Sequence, residues 1–178
     1  MLSKPVAWIV AALVVVSVTL AGQSATPPRP SAEHQKLAAF LGKWTFEGQA
    51  QASPYGPAAK YTSADTFAWL PGNFFMEHHW DTKQGGTQIV GMEIIGYDGV
   101  GKTYTSRFFD NFGNSGSIKG TANGSTWAWT ADSMVAGKPL KERGTNTITG
   151  DTMVSKWEYS TDGSKWLPNF EGKGTRAK

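Results

Sequence analysis

Two titratable side chains lie inside apolar strand patterns, where they could do chemistry. His78 shares one face of an extended segment with Met76 and Trp80, and Glu93 interrupts the apolar run 89–95. A buried neutral imidazole can ligate a metal, bind a polar group of a ligand or act as a base. A carboxylate in an apolar setting can anchor a ligand or accept a proton. These two residues are therefore the first candidates for a site.

Each candidate also has a structural interpretation. His78 would be a core histidine with one satisfied hydrogen bond, and Glu93 would pair internally with Arg107 or Lys156. The neighbouring His79 faces the opposite side of a strand, so the two histidines cannot hold one metal ion together. The sequence therefore predicts neither catalytic residues nor a metal site.

The segment 96–103 matches the phosphate-loop pattern letter for letter. That chemistry needs backbone amides wrapped around a phosphate at the start of a helix. The residues after it, 104–109, read as a strand. A hairpin turn is therefore predicted here.

Composition limits the possible functions. The 178 residues include no cysteine, which excludes disulfides, zinc–thiolate sites and cysteine nucleophiles. Lys and Arg number 17 against 14 Asp and Glu, with no basic run, so no nucleic-acid partner is predicted. The eight Trp, nine Phe and five Tyr favour strands and can bury large apolar areas.

Residues 1–25 have the pattern of a secretory signal peptide. A short basic start precedes the apolar run Val6–Leu20, and cleavage is expected between Ala21 and Ala25. The alternative is an uncleaved anchor, although the run is short for a membrane span of about 20 residues. We expect an exported protein, periplasmic or secreted, with no membrane insertion after cleavage. Residues 26–31 form a flexible leader.

Regular turn signals organise the rest of the chain into short strands. One helix is predicted over Ala32–Leu41, and about ten strand-like runs follow. The runs are 43–50, 60–70, 73–81, 87–97, 102–110, 115–121, 126–131, 140–149, 152–160 and 165–176. Short turns favour an antiparallel meander, and closure removes its two exposed edges. The prediction is a single all-β domain over 32–178, a closed antiparallel up-and-down barrel with one short N-terminal helix. A two-sheet sandwich is the alternative.

The run 89–95 is apolar on both faces and needs cover on both sides. The predicted helix carries an apolar stripe that includes Leu37 and Phe40. The helix could cover the outer face of this strand, or it could plug one end of the barrel.

Gly42, Trp44 and Arg176 resemble the lipocalin and wider calycin pattern. In that pattern the Trp of a Gly-x-Trp motif at the start of the first strand lies inside the closed end, and a late Arg packs across it. The resemblance implies a structural role for these three residues, with a cation–π contact between guanidinium and indole.

More of the chain, from about Ala32 to Arg176, resembles domain-of-unknown-function family 1579, a bacterial group of calycin-like barrels without an established activity. The segments that carry the resemblance are FAWLPGNFF (67–75), IGYD (95–98), FDNFGN (109–114) and WEYS (157–160). Related barrels of the nitrobindin type carry haem through a histidine on a late strand. This chain has no histidine after His79, so no cofactor is expected.

The functional hypothesis is that a small apolar or amphipathic molecule binds in the barrel lumen. The residues predicted to line the lumen are Trp69, His78, Met92, Phe108, Trp157 and Tyr159. One alternative is an isomerase or hydrolase acting on a lipophilic substrate there, which needs His78 or Glu93 within hydrogen-bond reach of another titratable group. The other is an envelope interaction module with a closed lumen. The oligomeric state is left open.

Overall fold

The computed structural model describes residues 27–135 and 137–178. A short helix α1 (Ala32–Lys36) runs into a 3₁₀ turn (Leu37–Phe40), and ten strands follow. The strands are β1 (Gly42–Ala50), β2 (Ala59–Trp69), β3 (Phe75–Gln84), β4 (Thr87–Asp98), β5 (Thr103–Asp110), β6 (Ser115–Asn123), β7 (Thr126–Val135), β8 (Lys138–Thr149), β9 (Thr152–Ser160) and β10 (Leu167–Arg176). The predicted signal peptide over 1–25 lies outside the described residues.

Every strand pairs antiparallel with the next strand along the chain, and β10 pairs with β1 to close the sheet. The closing register places Trp44 opposite Arg176 and Ala50 opposite Phe170. This is the predicted closed up-and-down barrel, and the sandwich alternative is wrong. Closure leaves no strand edge within the sheet for another chain to extend.

Several element boundaries differ from the predictions. The α-helix ends at Lys36 instead of Leu41, because the last residues tighten into the 3₁₀ turn. β3 begins at Phe75, since Asn73 adopts a left-handed conformation with φ 58° in the preceding turn. β7 extends to Val135, beyond the predicted end at residue 131.

The helical segment plugs one end of the barrel. Leu37 and Phe40 are buried, and the Phe40 ring packs against those of Phe67 and Trp127. The outer face of the 89–95 run is therefore not covered by the helix, and Val90 stays 41% exposed. The end that carries α1 is the closed end.

The phosphate-loop-like segment forms a hairpin turn, as predicted. β4 ends at Asp98 and β5 begins at Thr103, so a strand follows the turn instead of a helix. Lys102 has φ 50° and closes the turn. No helix in 27–135 or 137–178 is long and apolar enough to span a membrane.

Large inward rings lie flat against the barrel wall because glycines stand opposite them. A Cβ added at Gly91 would lie 2.2 Å from the Trp80 ring, and one at Gly144 would lie 2.3 Å from the Trp157 ring. The same arrangement joins Phe46 to Gly174, Phe108 to Gly116 and Trp129 to Gly120. Rings held along the wall leave space in the middle of the barrel.

Replacing Gly144 with Ala is expected to push the Trp157 ring off the wall and to lower the free energy of unfolding by about 1–3 kcal/mol. Urea unfolding and near-UV circular dichroism measure the two effects. Gly99→Ala is the matched control, because no atom lies within 4 Å of its added Cβ. Wild-type stability and an unchanged aromatic spectrum for Gly144→Ala would contradict this account of the wall.

Candidate functional site

The barrel encloses a cavity of about 860 Å³. It extends from Phe40 at the closed end to the loops at the other end of the barrel. There the exposed side chains of Tyr55, Phe112 and Met134 line its mouth. A small molecule could therefore enter from the end opposite α1.

A triad of titratable side chains lies on the cavity wall. His78 Nε2 is 2.9 Å from Asp65 Oδ2, and His78 Nδ1 is 2.8 Å from Glu93 Oε1. Their side chains are only 12%, 11% and 17% exposed for His78, Asp65 and Glu93. The strand register explains the contacts, since His78 on β3 pairs directly with Glu93 on β4 and with Phe67 on β2, two residues from Asp65.

Hydroxyl groups extend this triad along the wall. Ser63 Oγ donates to Asp65 Oδ1, and Ser106 Oγ donates to Glu93 Oε2. Thr82 Oγ1 donates in turn to Ser63 Oγ at 2.8 Å. Each carboxylate oxygen in the triad therefore has a hydrogen-bond partner, which holds both carboxylates in fixed orientations.

The imidazole of His78 is charged at neutral pH. Burial alone would lower its pKa, but hydrogen bonds and charges from Asp65 and Glu93 outweigh burial and raise the pKa to about 9. The Phe67 ring stacks on the imidazole with centroids 3.8 Å apart and planes within 7° of parallel. The triad therefore places an imidazolium between two carboxyl groups, beside an aromatic wall.

The stability of the protein should depend on pH through His78. Its pKa is about 9 in the folded state against 6.5 for the free side chain, so protonation favours the folded state. The stabilisation, ~3 kcal/mol, is complete below pH 6.5 and is lost as the pH rises through 9. NMR titration of the ring protons measures the pKa directly, and a value below 7 would contradict the triad.

A second group of contacts joins the first and last strands at the closed end of the barrel. The Arg176 guanidinium lies 4.2 Å from the centroid of the Trp44 ring. Arg176 Nη2 donates to Ala39 O at 3.0 Å, and Nη1 donates to Leu41 O. Gly42, with φ 109°, turns the chain beside this side chain. These contacts fasten the plug to the first and last strands.

The family of proteins of unknown function DUF1579 matches residues 29–176. The chain belongs to this family. No curated protein matches it. The crystal structure of Rv2717c from M. tuberculosis is similar at 14% identity and a TM-score of 0.65, covering 84% of this chain and 99% of that one. The S-type phycobiliprotein lyase CPES from Guillardia theta is similar at 10% identity and a TM-score of 0.55, covering 83% and 94%. At these identities the likeness shows a shared fold.

The DUF1579 barrel brings three of the six predicted lining residues to the cavity. His78, Phe108 and Trp157 line it. Trp69 is instead partly buried against the core near the closed end, and the buried Tyr159 shares the face of Trp157 without lining the cavity. Trp69 lies too close to the closed end, whereas Tyr159 is level with its β8 partner Glu142 and is buried without reaching the cavity.

The prediction for Met92 is wrong. Its neighbour Glu93 lines the cavity, so Met92 points to the outer face of β4. It pairs there with His79 and Phe109, whose side chains are also exposed on the outside. The 89–95 run is apolar on both faces, so its pattern did not indicate which side faces the lumen.

Sequence reasoning also assigned the wrong partners to Glu93. Arg107 bonds Ser117 on the outer face of the DUF1579 barrel, and Lys156 pairs with Glu171 there. The actual partners, His78 and Ser106, come from the two neighbouring strands. Alternation along β2 could have placed Asp65 on the inner face, but only the strand register shows that it meets His78.

Proposed function

We propose that this protein binds a small amphipathic molecule in the lumen of the barrel. The observation that carries the proposal is the cavity of about 860 Å³, which lies within the usual range for small-molecule sites. Aromatic rings and a few fixed polar groups line it. That combination is typical of sites that bury an apolar body and orient a polar end.

The layout of the wall supports an amphipathic ligand. Trp80, Trp129 and Trp157 offer ring faces held flat by glycines, so the lumen is preformed for planar or chain-like apolar groups. The Asp65–His78–Glu93 triad provides fixed hydrogen-bonding groups on one side. A purely apolar ligand would displace water from the remaining acceptor sites of these carboxyl oxygens, which costs free energy.

Titration with N-phenyl-1-naphthylamine, which fluoresces in apolar surroundings, tests the proposal. We expect saturable binding at one site per barrel, with quenching of tryptophan emission by energy transfer. A panel of unlabelled lipophiles then competes with the probe. If neither the probe nor any lipophile gives a saturable response, the proposal is wrong.

Acid–base catalysis in the same lumen is a second candidate function. It is favoured by the triad, in which His78 lies within hydrogen-bond distance of two carboxylates. Turnover of lipophilic 4-nitrophenyl esters by wild type and His78→Gln tests the hydrolase form of this idea. Equal rates for the two proteins, or recovery of every lipophile unchanged, count against catalysis.

We also propose export of the protein, on the basis of the signal-peptide pattern in residues 1–25. N-terminal sequencing of the processed protein from a periplasmic extract or culture medium should place the new terminus between Ala21 and Ala25. A protein that retains Met1 and stays in the cytoplasm would contradict this proposal.

A further inference from the structure

The charged side chains that line the cavity are acidic, with the exception of His78. They are Asp65, Glu93, Asp110 and Glu142. The whole chain has 17 Lys and Arg residues, yet among the described residues none of these lines the cavity. Low-dielectric walls strengthen the field of such a one-sided charge distribution. The lumen therefore favours cations and opposes carboxylates.

Three of these four carboxylates already contact a cation or backbone amides of the protein. Asp65 and Glu93 hold the imidazolium of His78. Asp110 Oδ1 accepts hydrogen bonds from the backbone amides of Phe112 and Asn114, each at 2.9 Å, and so fixes the β5–β6 turn. These residues shape the lumen, but their charges are largely engaged within the protein.

Glu142 differs from the other three. Its Oε2 accepts a hydrogen bond from Ser133 Oγ at 3.0 Å, and the Tyr55 hydroxyl lies 3.2 Å from that Ser133 oxygen. In the described parts of the chain no Lys, Arg or His nitrogen lies within 4.0 Å of the Glu142 carboxylate. Burial raises its pKa, although hydrogen bonds from Tyr55 and Ser133 oppose the rise. A positive group supplied by a ligand would compensate this charge.

The aromatic surroundings of Glu142 also suit a cation. Gly144 is the next inward position on β8, and it pairs with Trp129 on one side and with Trp157 on the other. The Trp157 ring lies over Gly144, so one indole lies against the wall at the position next to the carboxylate, whereas the Trp129 ring lies over Gly120 on β6. Indole faces attract ammonium groups, and the attraction is stronger where water is excluded.

From the cavity, its charge pattern and these rings we infer that the lumen ligand carries a positive charge, an ammonium group on an apolar body, with the charge seated on Glu142. The inference rests on the proposed function and narrows it to cationic amphipaths. Fatty acids and other anionic lipophiles are thereby disfavoured.

Competition against N-phenyl-1-naphthylamine tests the inference with three ligands of equal chain length. Decylammonium, decanol and decanoate differ only in their head groups, and each is added below its micelle-forming concentration at pH 7. We expect decylammonium to bind at least about tenfold more tightly than decanol, as for one hydrogen-bonded ion pair, and decanoate to bind most weakly. Glu142→Gln should reduce the ammonium preference, the ratio of the decylammonium to the decanol affinity, to about threefold, because a hydrogen bond to a neutral amide has about half the strength of one to a carboxylate.

Glu158→Gln is the matched control, because Glu158 is an exposed carboxylate on the outer wall that pairs with Arg143. It should keep the full ammonium preference. Equal affinities for the three ligands, or tighter binding of decanoate, would overturn the inference. Saturable binding of the probe in the same experiment would still support the proposed function. A full ammonium preference in Glu142→Gln would overturn the role of Glu142. Absence of any saturable probe binding would overturn both proposals.

Discussion

Replacing His78 with Gln is expected to lower the free energy of unfolding at pH 7 by about 3–5 kcal/mol. The substitution removes the only positive charge from the Asp65–His78–Glu93 triad and leaves two carboxylates facing each other on a largely buried wall. Urea unfolding measures the loss.

His79→Gln is the matched control for this prediction. His79 is the next residue, its side chain is 52% exposed, and its contact to Glu77 lies on the outer face. A change within about 0.5 kcal/mol is expected for such a surface substitution. If His78→Gln and His79→Gln have the same small effect at pH 7, then the triad does not hold a buried imidazolium.

Replacing Trp44 with Ala is expected to cost about 3–5 kcal/mol of unfolding free energy. The Trp44 ring is 1% exposed, and its Nε1 donates to Phe40 O at 2.7 Å. Arg176 covers the ring, so the substitution also removes the platform beneath the guanidinium. The helical plug and the pairing between β1 and β10 should both loosen. The rate of hydrogen exchange of the amides near Phe40 should therefore rise.

Trp166→Ala is the control for Trp44→Ala. Arg143 lies 4.2 Å from the centroid of the Trp166 ring, which reproduces the Arg–Trp contact between an exposed Arg and a half-buried Trp outside the core. An exposed cation–π contact contributes only about 0.5–1 kcal/mol. Similar losses for the two Trp variants would mean that the closed-end contacts do not fasten the barrel.

Alternating patterns and turn residues were sufficient to predict the ten-stranded closed meander. Gly85 and Gly86 with their positive φ, for example, mark the β3–β4 hairpin that the Gly-Gly pair indicates in the sequence. The boundary at Asn73 was missed because a non-glycine residue adopts the left-handed conformation there. Local rules therefore predict the barrel well where each turn uses its usual residues.

The candidate site was harder to predict, because it depends on register between strands distant in the sequence. Alternation along β3 places His78 on the inner face, but its contact with Asp65 depends on the register between β2 and β3. The contact of the Trp157 ring with Gly144 likewise cannot be predicted without the register between β8 and β9. Glu142 was missed for the same reason, since its neighbour Ser133 lies across a strand pair.

The affinity of N-phenyl-1-naphthylamine for two tryptophan variants tests the central claim, that the hollow of the barrel is the binding site. Ala131→Trp places an indole in the lumen, whereas Met92→Trp places one on the outer face. We expect at least a tenfold loss of affinity for Ala131→Trp, equivalent to about 1.4 kcal/mol, and wild-type affinity for Met92→Trp. Unchanged binding by Ala131→Trp, or a loss confined to Met92→Trp, would contradict the claim.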